Sequence, residues 1–582
     1  MMSRSEGMRG GLFLAMALSA SPALWGSGAL PAPASGIYLG IRANPNLAKT
    51  EELSTEIREG PPPNGIGRPF ALHLLYYAWT DLQNELGSNG VLVADNNLAG
   101  DIAHGRVPVI SWQCDSNTPN SDHVIAGGDP GEDATITATA KALAQVPGPV
   151  LLRWMWEFND LNNHAGCLGW TKGTPTAQNY SDFIGAWQHI WKLFQSAGAS
   201  NVAFLWNPGF YAADGNEDDP HGFYPGNAYV DWLGLDTYQR SETETFDNDF
   251  GVFYSDFSQS QYGGKPLMVG ENGSQDYAQF NAELQWSYLQ GVLADAKANR
   301  YPLLKAYDYF DAGTPPTWVL DDNNGQGSGG LAAFTMLGAS PQFSPAAVTL
   351  AANAEGESPT IAPNTWVQIN GLGLAPAGDT RIWQTTDFAF GNMPSSLDGV
   401  SVTVNGKAAY VYYISWTQIN ILTPPDAISG TVEVVATNNG AVSNSFAAQT
   451  QPLSPSFFVF NGGPYVAAVH GNGTYVGSTS LIPGLTSPAK PGEIVTIYAN
   501  GFGPTSVAVV SGAEMQSGTL APLPAIQIGG ITASVQFAGL VAPGEFQFNV
   551  VVPESLGNGD QAIVASYGGA STQAGTLITV HN

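Results

Sequence analysis

Two glutamates are the residues of this chain best placed to do chemistry. Glu157 follows the apolar run 150–156 (Val-Leu-Leu-Arg-Trp-Met-Trp), and Glu271 follows the apolar run 266–270 (Pro-Leu-Met-Val-Gly). Both runs read as strands, and in a (β/α)8 barrel the C-terminal ends of the strands carry the active site. A glycosidic bond is broken by a carboxylic acid that protonates the leaving oxygen and a second carboxylate at the anomeric carbon, about 5–5.5 Å apart when configuration is retained. The pair is expected to supply these two groups. Arg153 precedes Glu157 by four positions, an even spacing that puts both on one face of a strand. There the guanidinium either holds a carboxylate ionised or forms a structural ion pair. Asn159 and Asp236 are candidates for sugar hydroxyls or for loop backbone.

Sugars present apolar C–H faces flanked by hydroxyls, so aromatic planes beside polar groups suit them. Trp112, Trp156, Trp170, Trp206, Tyr238 and Tyr307 are the aromatics expected at such a site, and His164, in the loop after Glu157, is the one histidine placed near substrate. The eight histidines show no paired ligand spacing, so no metal is expected. The one G-x-G-x-x-G match, at 325–330, follows Asp-Asp-Asn-Asn rather than an apolar strand, and no cofactor is expected. Ser274 lies in no G-x-S-x-G elbow.

Positioning these residues requires a barrel. From 36 to 340, short β-rich runs alternate with helical patterns, as in βαβ units around a parallel sheet. The eight candidate strands are 37–41, 70–76, 107–112, 150–156, 202–206, 230–238, 266–270 and 303–310. Between the fourth and fifth, Phe183, Trp187, Ile190, Trp191 and Phe194 recur at helical spacing within 180–197, and a similar pattern covers 280–298. After about 341 helical periodicity gives way to strands separated by Gly, Pro and Asn, which predicts two all-β Ig-like sandwiches, 341–452 and 453–582. Asn405-Gly406 predicts a hairpin turn in the first. The fold class is therefore multidomain, a (β/α)8 barrel followed by two sandwiches.

Composition narrows the partners. The 582 residues carry 48 Asp+Glu against 19 Lys+Arg, a formal charge of −29 that repels phosphate backbones and anionic lipid surfaces. Arg4 and Arg9 followed by an apolar stretch at 12–18 and small residues predict a signal peptide and linker over 1–35, hence a secreted or cell-surface protein without membrane insertion after cleavage, the other reading being an uncleaved anchor. Cys114 and Cys167 are the only cysteines. In an exported chain they are expected to pair, the other reading being two separate buried thiols.

Pro149-Val-Leu-Leu-Arg-Trp-Met-Trp-Glu157-Phe-Asn159 resembles the fourth-strand segment of glycoside hydrolase family 26, the β-mannanase and lichenase family of clan A. Asn201-Val-Ala-Phe-Leu-Trp206-Asn-Pro, Tyr224-Pro-Gly-Asn-Ala-Tyr-Val-Asp-Trp-Leu-Gly-Leu-Asp236-Thr-Tyr238 and Lys265-Pro-Leu-Met-Val-Gly-Glu271 resemble its strands five, six and seven. The resemblance implies a retaining hydrolase of a β-linked polysaccharide such as β-mannan or mixed-linked glucan, with Glu157 as acid/base, Glu271 as nucleophile and Tyr238 as a hydroxyl donor to the nucleophile. Trp156 and Asn272 stand where the family usually has His and Phe. These departures leave a second reading open, a carbohydrate-binding or adhesion protein on a barrel scaffold. The C-terminal region resembles IPT/TIG-type modules of secreted acidobacterial-type proteins, carried by Pro491-Gly-Glu-Ile-Val-Thr-Ile-Tyr-Ala-Asn-Gly-Phe-Gly-Pro-Thr and Gln547-Phe-Asn-Val-Val-Val-Pro. That likeness implies spacing, cell-surface or matrix attachment, or adhesion to carbohydrate.

Overall fold

The computed structural model describes residues 29–43, 50–84, 97–159, 167–168, 175–209, 219–274, 282–312, 318–320, 329–356 and 358–582. Most of the expected signal peptide, together with His164, Trp170 and most of the Gly325–Gly330 match, lies outside them. The chain divides into two compact units at Pro345/Ala346.

The first unit is a closed barrel of eight parallel strands in sequence order. They are β1 (Tyr38–Arg42), β2 (Leu72–Tyr77), β3 (Val107–Trp112), β4 (Val150–Trp154), β5 (Val202–Trp206), β6 (Trp232–Gln239), β7 (Leu267–Ser274) and β8 (Leu304–Phe310), and β8 closes on β1. Each is buried along nearly its whole length, which is why each read as an apolar run rather than an alternating one. Helices cover the outside, among them α1 (Glu51–Glu59), α2 (Asn97–His104), α3 (Ser121–Ala126), α4 (Pro130–Leu143), α5 (Ala177–Ser196), α6 (Phe246–Phe257) and α7 (Ala282–Lys297). Helix α5 starts at a capping box, Thr176 with Asn179, and buries Phe183, Ala186, Trp187, Ile190 and Phe194. Strand residues Leu39, Ile110, Leu152, Phe204, Leu235 and Val269 share a core with those helix side chains, so the alternate residues of each strand face the barrel interior.

The first unit ends slightly later than the composition shift suggested. Phe343 packs against Tyr307, Arg68 donates to Phe343 O, and Ile37 N donates to Gln342 O at 2.8 Å, so 341–345 belong to the barrel.

The second unit holds a first sandwich of a seven-stranded and a five-stranded sheet, then a twelve-stranded sheet folded around its own core. The sequence predicts strands over 400–404, 418–422, 465–469, 525–528 and 545–551 here, and strands Val400–Val404, Gln418–Leu422, Ala525–Ile528 and Glu545–Val551 coincide with four of them. Asn405 and Gly406 both have positive φ, as a two-residue hairpin turn requires. Strands Ala347–Asn353, Phe446–Thr450 and Leu577–Val580 were not anticipated, and the expected 465–469 strand shrinks to Ala468–Val469. No helix among the described residues is long and apolar enough to cross a membrane.

Candidate active site

Arg153 organises the barrel mouth. It points inward from β4, fully buried, and all five of its N–H groups are used. Nε donates to Ser111 Oγ at 2.7 Å. Nη1 donates to both Asp236 oxygens at 3.0 and 2.9 Å. Nη2 donates to Tyr76 Oη at 3.2 Å and to Glu271 Oε1. Burial alone pulls the guanidinium pKa down, but Asp236, Glu271 and Tyr76 push it well above its ordinary value, so the charge is permanent.

Glu271, nearly buried, also accepts from two phenols. Tyr76 donates to Oε1 at 2.5 Å and Tyr238 donates to Oε2. Burial, then the negative charge of Glu271, push both phenols well above their ordinary range, so both stay protonated donors. Opposite stands Glu157, half-buried, with carboxylate oxygens of Glu157, Asp236 and Glu271 lying within 4.8 Å of one another. Its backbone is left-handed (φ 54°), as is that of Met155 (φ 53°), and its N–H donates to Asn207 O at 2.8 Å. A Cβ at Gly209 would come 3.0 Å from Glu157 Cβ, so the β5 loop passes close against the acid.

A bulge aims Glu271. The β7–β8 register shifts between Val269 and Asn272, which leaves Gly270 and Glu271 both facing inward and turns Asn272 out. Only glycine fits at 270, where a Cβ would meet Asn207 Oδ1 at 2.1 Å and Asp236 Oδ1 at 2.6 Å. Asn272 is fully buried, donating to Thr237 O and Tyr288 Oη and accepting from Tyr307 Oη at 2.6 Å. This departure from the family pattern therefore does not touch the mouth. Trp156 does: half-exposed, it stands edge-on to Tyr76 (5.2 Å) with the Arg153 guanidinium 5.6 Å from its ring.

Several expected contacts move into the core. Trp112 stacks on Trp79 at 4.3 Å and donates to Trp79 O. Trp206 packs on Phe158, Tyr224 and Phe257 and donates to Phe223 O. Both, with Tyr307, have outward strand positions and no exposure, so none reaches a ligand in the mouth. Asp236 is committed to Arg153 rather than to a sugar hydroxyl, and Asn159 is buried against the β5 loop, exchanging hydrogen bonds with the Gly209 backbone. Sequence reading missed Tyr76 and Ser111 as partners of the cluster and Phe310 as part of its rim. Tyr76, one residue before the end of β2, is in phase with Leu72 and Leu74, and that inward phase was its available signal. Phe310 (6.1 Å) and Trp318 (4.5 Å) flank Tyr238, which gives the mouth a half-exposed aromatic rim. Cys114 and Cys167 form a disulfide, Cα–Cα 5.9 Å, tying together the loops that follow β3 and β4.

Residues 134–301 match the family model of glycosyl hydrolase family 26. The matched segment contains Arg153, Glu157, Asp236, Tyr238 and Glu271, while Tyr76 and β8 lie outside it. Endoglucanase H of Acetivibrio thermocellus is 26% identical over 175 residues, 29% of this chain and 18% of that protein, so the chain spans under a fifth of this curated relative's length. A Cellulomonas fimi endo-β-1,4-mannanase double mutant is similar at 17% identity and TM-score 0.39, covering 72% of this chain and 94% of its own. The catalytic domain of a Bacillus sp. JAMB-750 endo-β-1,4-mannanase is similar at 17% identity and TM-score 0.39, covering 53% and 86%.

Proposed function

We propose that this chain is a secreted, retaining glycoside hydrolase acting on a β-linked polysaccharide, β-mannan or mixed-linked β-glucan. The observation that carries the reading is the Glu157–Glu271 pair, with carboxylate oxygens within 4.8 Å across the mouth. That separation suits direct attack and leaves no room for the intervening water of an inverting site, where the carboxyls stand about 6.5–9.5 Å apart. The family match over 134–301 supports the same reaction class.

In the first step Glu271 attacks the anomeric carbon, the bond to the glycosidic oxygen breaks, and the Glu157 proton goes to the departing oxygen. In the second, Glu157 takes a proton from water, whose oxygen attacks the anomeric carbon and releases Glu271. Arg153, Tyr76 and Tyr238 donate to the nucleophile and aim it. Trp156, Phe310 and Trp318 offer planes for sugar faces. The disulfide supports folding in an oxidising compartment, hence export. The C-terminal sandwiches, read as Ig-like modules, serve as spacer or surface attachment.

The test is reducing-end release from mannan, lichenan, xylan and glucan. Glu157→Gln should cost on the order of 10²–10⁴-fold and Glu271→Gln should abolish turnover. Binding of a polymer with no release would favour the adhesion reading instead, and an inverted anomeric configuration in the first product would exclude double displacement.

A further inference from the structure

Beneath the mouth lies a carboxyl that this reaction does not use. Asp308, on β8, is fully buried and faces inward over Gly40 of β1, where a Cβ would fall 1.5 Å from Asp308 Oδ1. Neither of its oxygens has a hydrogen-bond partner among the described residues. The cation that its charge reaches, Arg153, has no N–H to offer: its five go to Ser111, both Asp236 oxygens, Tyr76 and Glu271. Arg42, two residues beyond Gly40 on β1, is ion-paired with Glu51. A carboxylate with neither donor nor counterion is strongly disfavoured in a barrel interior, so the group that fits this place is the neutral acid.

We propose that Asp308 is a positioning residue for Glu271: held as a neutral acid beneath the mouth, it leaves the whole charge of Arg153 to Asp236 and Glu271. The proposal rests on the assignment of Glu271 as nucleophile. The charged groups that act on Asp308 are Arg153 from β4 and Glu271 from β7, and the one cation of the two is fully engaged. Burial first, then the charge of Glu271, push the Asp308 carboxyl well above the ordinary range, against the pull of Arg153. When Asp308 does lose its proton, a further negative charge competes for Arg153 and repels Glu271. The guanidinium is drawn down from the nucleophile and turnover falls on the alkaline side.

The deciding variant is Asp308→Asn, which keeps the shape and fixes the group as neutral. Hydrolysis of the active polymer is followed against pH for wild type and variant. The expected result is a functional variant whose alkaline limb in kcat/KM moves up by about one pH unit or more. Superimposable limbs would overturn the proposal, as would a variant inactive at every pH although folded. Two readouts need no substrate and keep the inference separate from the hydrolase reading. At neutral pH the infrared carbonyl band of protonated carboxylic acids should be smaller in Asp308→Asn than in wild type by one carboxyl, since Glu355 and Glu545 contribute equally to both. Because the folded pKa is raised, wild type should also lose thermal stability relative to the variant as pH rises above the ordinary Asp range. If no polymer is cleaved but both differences appear, the nucleophile assignment fails while the neutral acid stands; if neither appears, Asp308 is ionised and the inference fails.

Discussion

The barrel and the C-terminal unit both bury carboxyl groups, and they compensate for them in different ways. At the mouth, Asp236 and Glu271 share one arginine, two phenols protect the nucleophile, and the cluster opens to solvent through Glu157 and Trp156. In the C-terminal unit Glu355 and Glu545 are equally buried, each with one oxygen lacking a partner among the described residues. Glu355 accepts only the Val459 N–H at 3.2 Å, and burial pushes it well above its ordinary value. Burial likewise pushes Glu545 up to about 8. Among the described residues no cation acts on either. A buried carboxyl thus marks a reactive site only when a committed cation and an open face accompany it. Without them it is an acid kept neutral by packing.

The contrast can be broken most severely at Arg153. Replacing it with Met should leave Asp236 and Glu271 confronting each other, cost about 3–5 kcal/mol of folding stability, and reduce hydrolysis by at least about a hundred-fold. Calorimetry and polymer assays on the full chain check both. If the barrel melts unchanged, Arg153 is not the counter-charge described above. Next in size is the Cys114–Cys167 tie, which closes a loop of sequence separation 53 and so contributes up to about 4 kcal/mol by the chain-entropy model. Cys114→Ser with Cys167→Ser should lower the barrel transition and raise KM more than it lowers kcat, because the tie holds mouth loops and not the carboxylates.

A smaller, pH-dependent effect belongs to the C-terminal unit. Glu545 has a raised folded pKa, so its favourable contribution is complete below about 4.5 and is lost as pH rises toward about 8. Glu545→Gln should flatten that slope, leaving the variant more stable than wild type at alkaline pH by on the order of 2–4 kcal/mol at most. Differential scanning calorimetry across pH would show it as a shift in one transition with hydrolysis untouched. A matching shift in the barrel transition would mean that the carboxyl acts outside its own unit.

Much of the barrel was legible because parallel strands buried on both faces are written as continuous apolar runs, and every one of the eight was found within a few residues of its ends. Glu157 and Glu271 were legible for the same reason: each is a charge that ends such a run. Which face of each strand points inward was not legible from the tryptophans. Trp112 and Trp206 lie in phase with Ile110 and Phe204 and pack against helices, whereas Arg153, in phase with Leu151, marks the inner face. Asn272 was unreadable without the bulge, since simple alternation from outward Val269 puts Glu271 outside and Asn272 inside. Strand Ala347–Asn353 escaped because five of its seven residues are small or polar and dilute the β signal. Tyr76 required knowing that β2 reaches the same mouth as β7, which follows only from closure.

The left-handed backbone at Glu157 has a consequence for how this protein can change. An L-residue with a long side chain at φ 54° stores on the order of 1 kcal/mol or more that glycine would release. Selection for heat resistance alone would therefore reward loss of the acid, and thermostable isolates from an unscreened library should be enriched in inactive chains. An engineer seeking durability has to screen for turnover at every round, or seek the gain in the sandwiches, where no such conflict is built in.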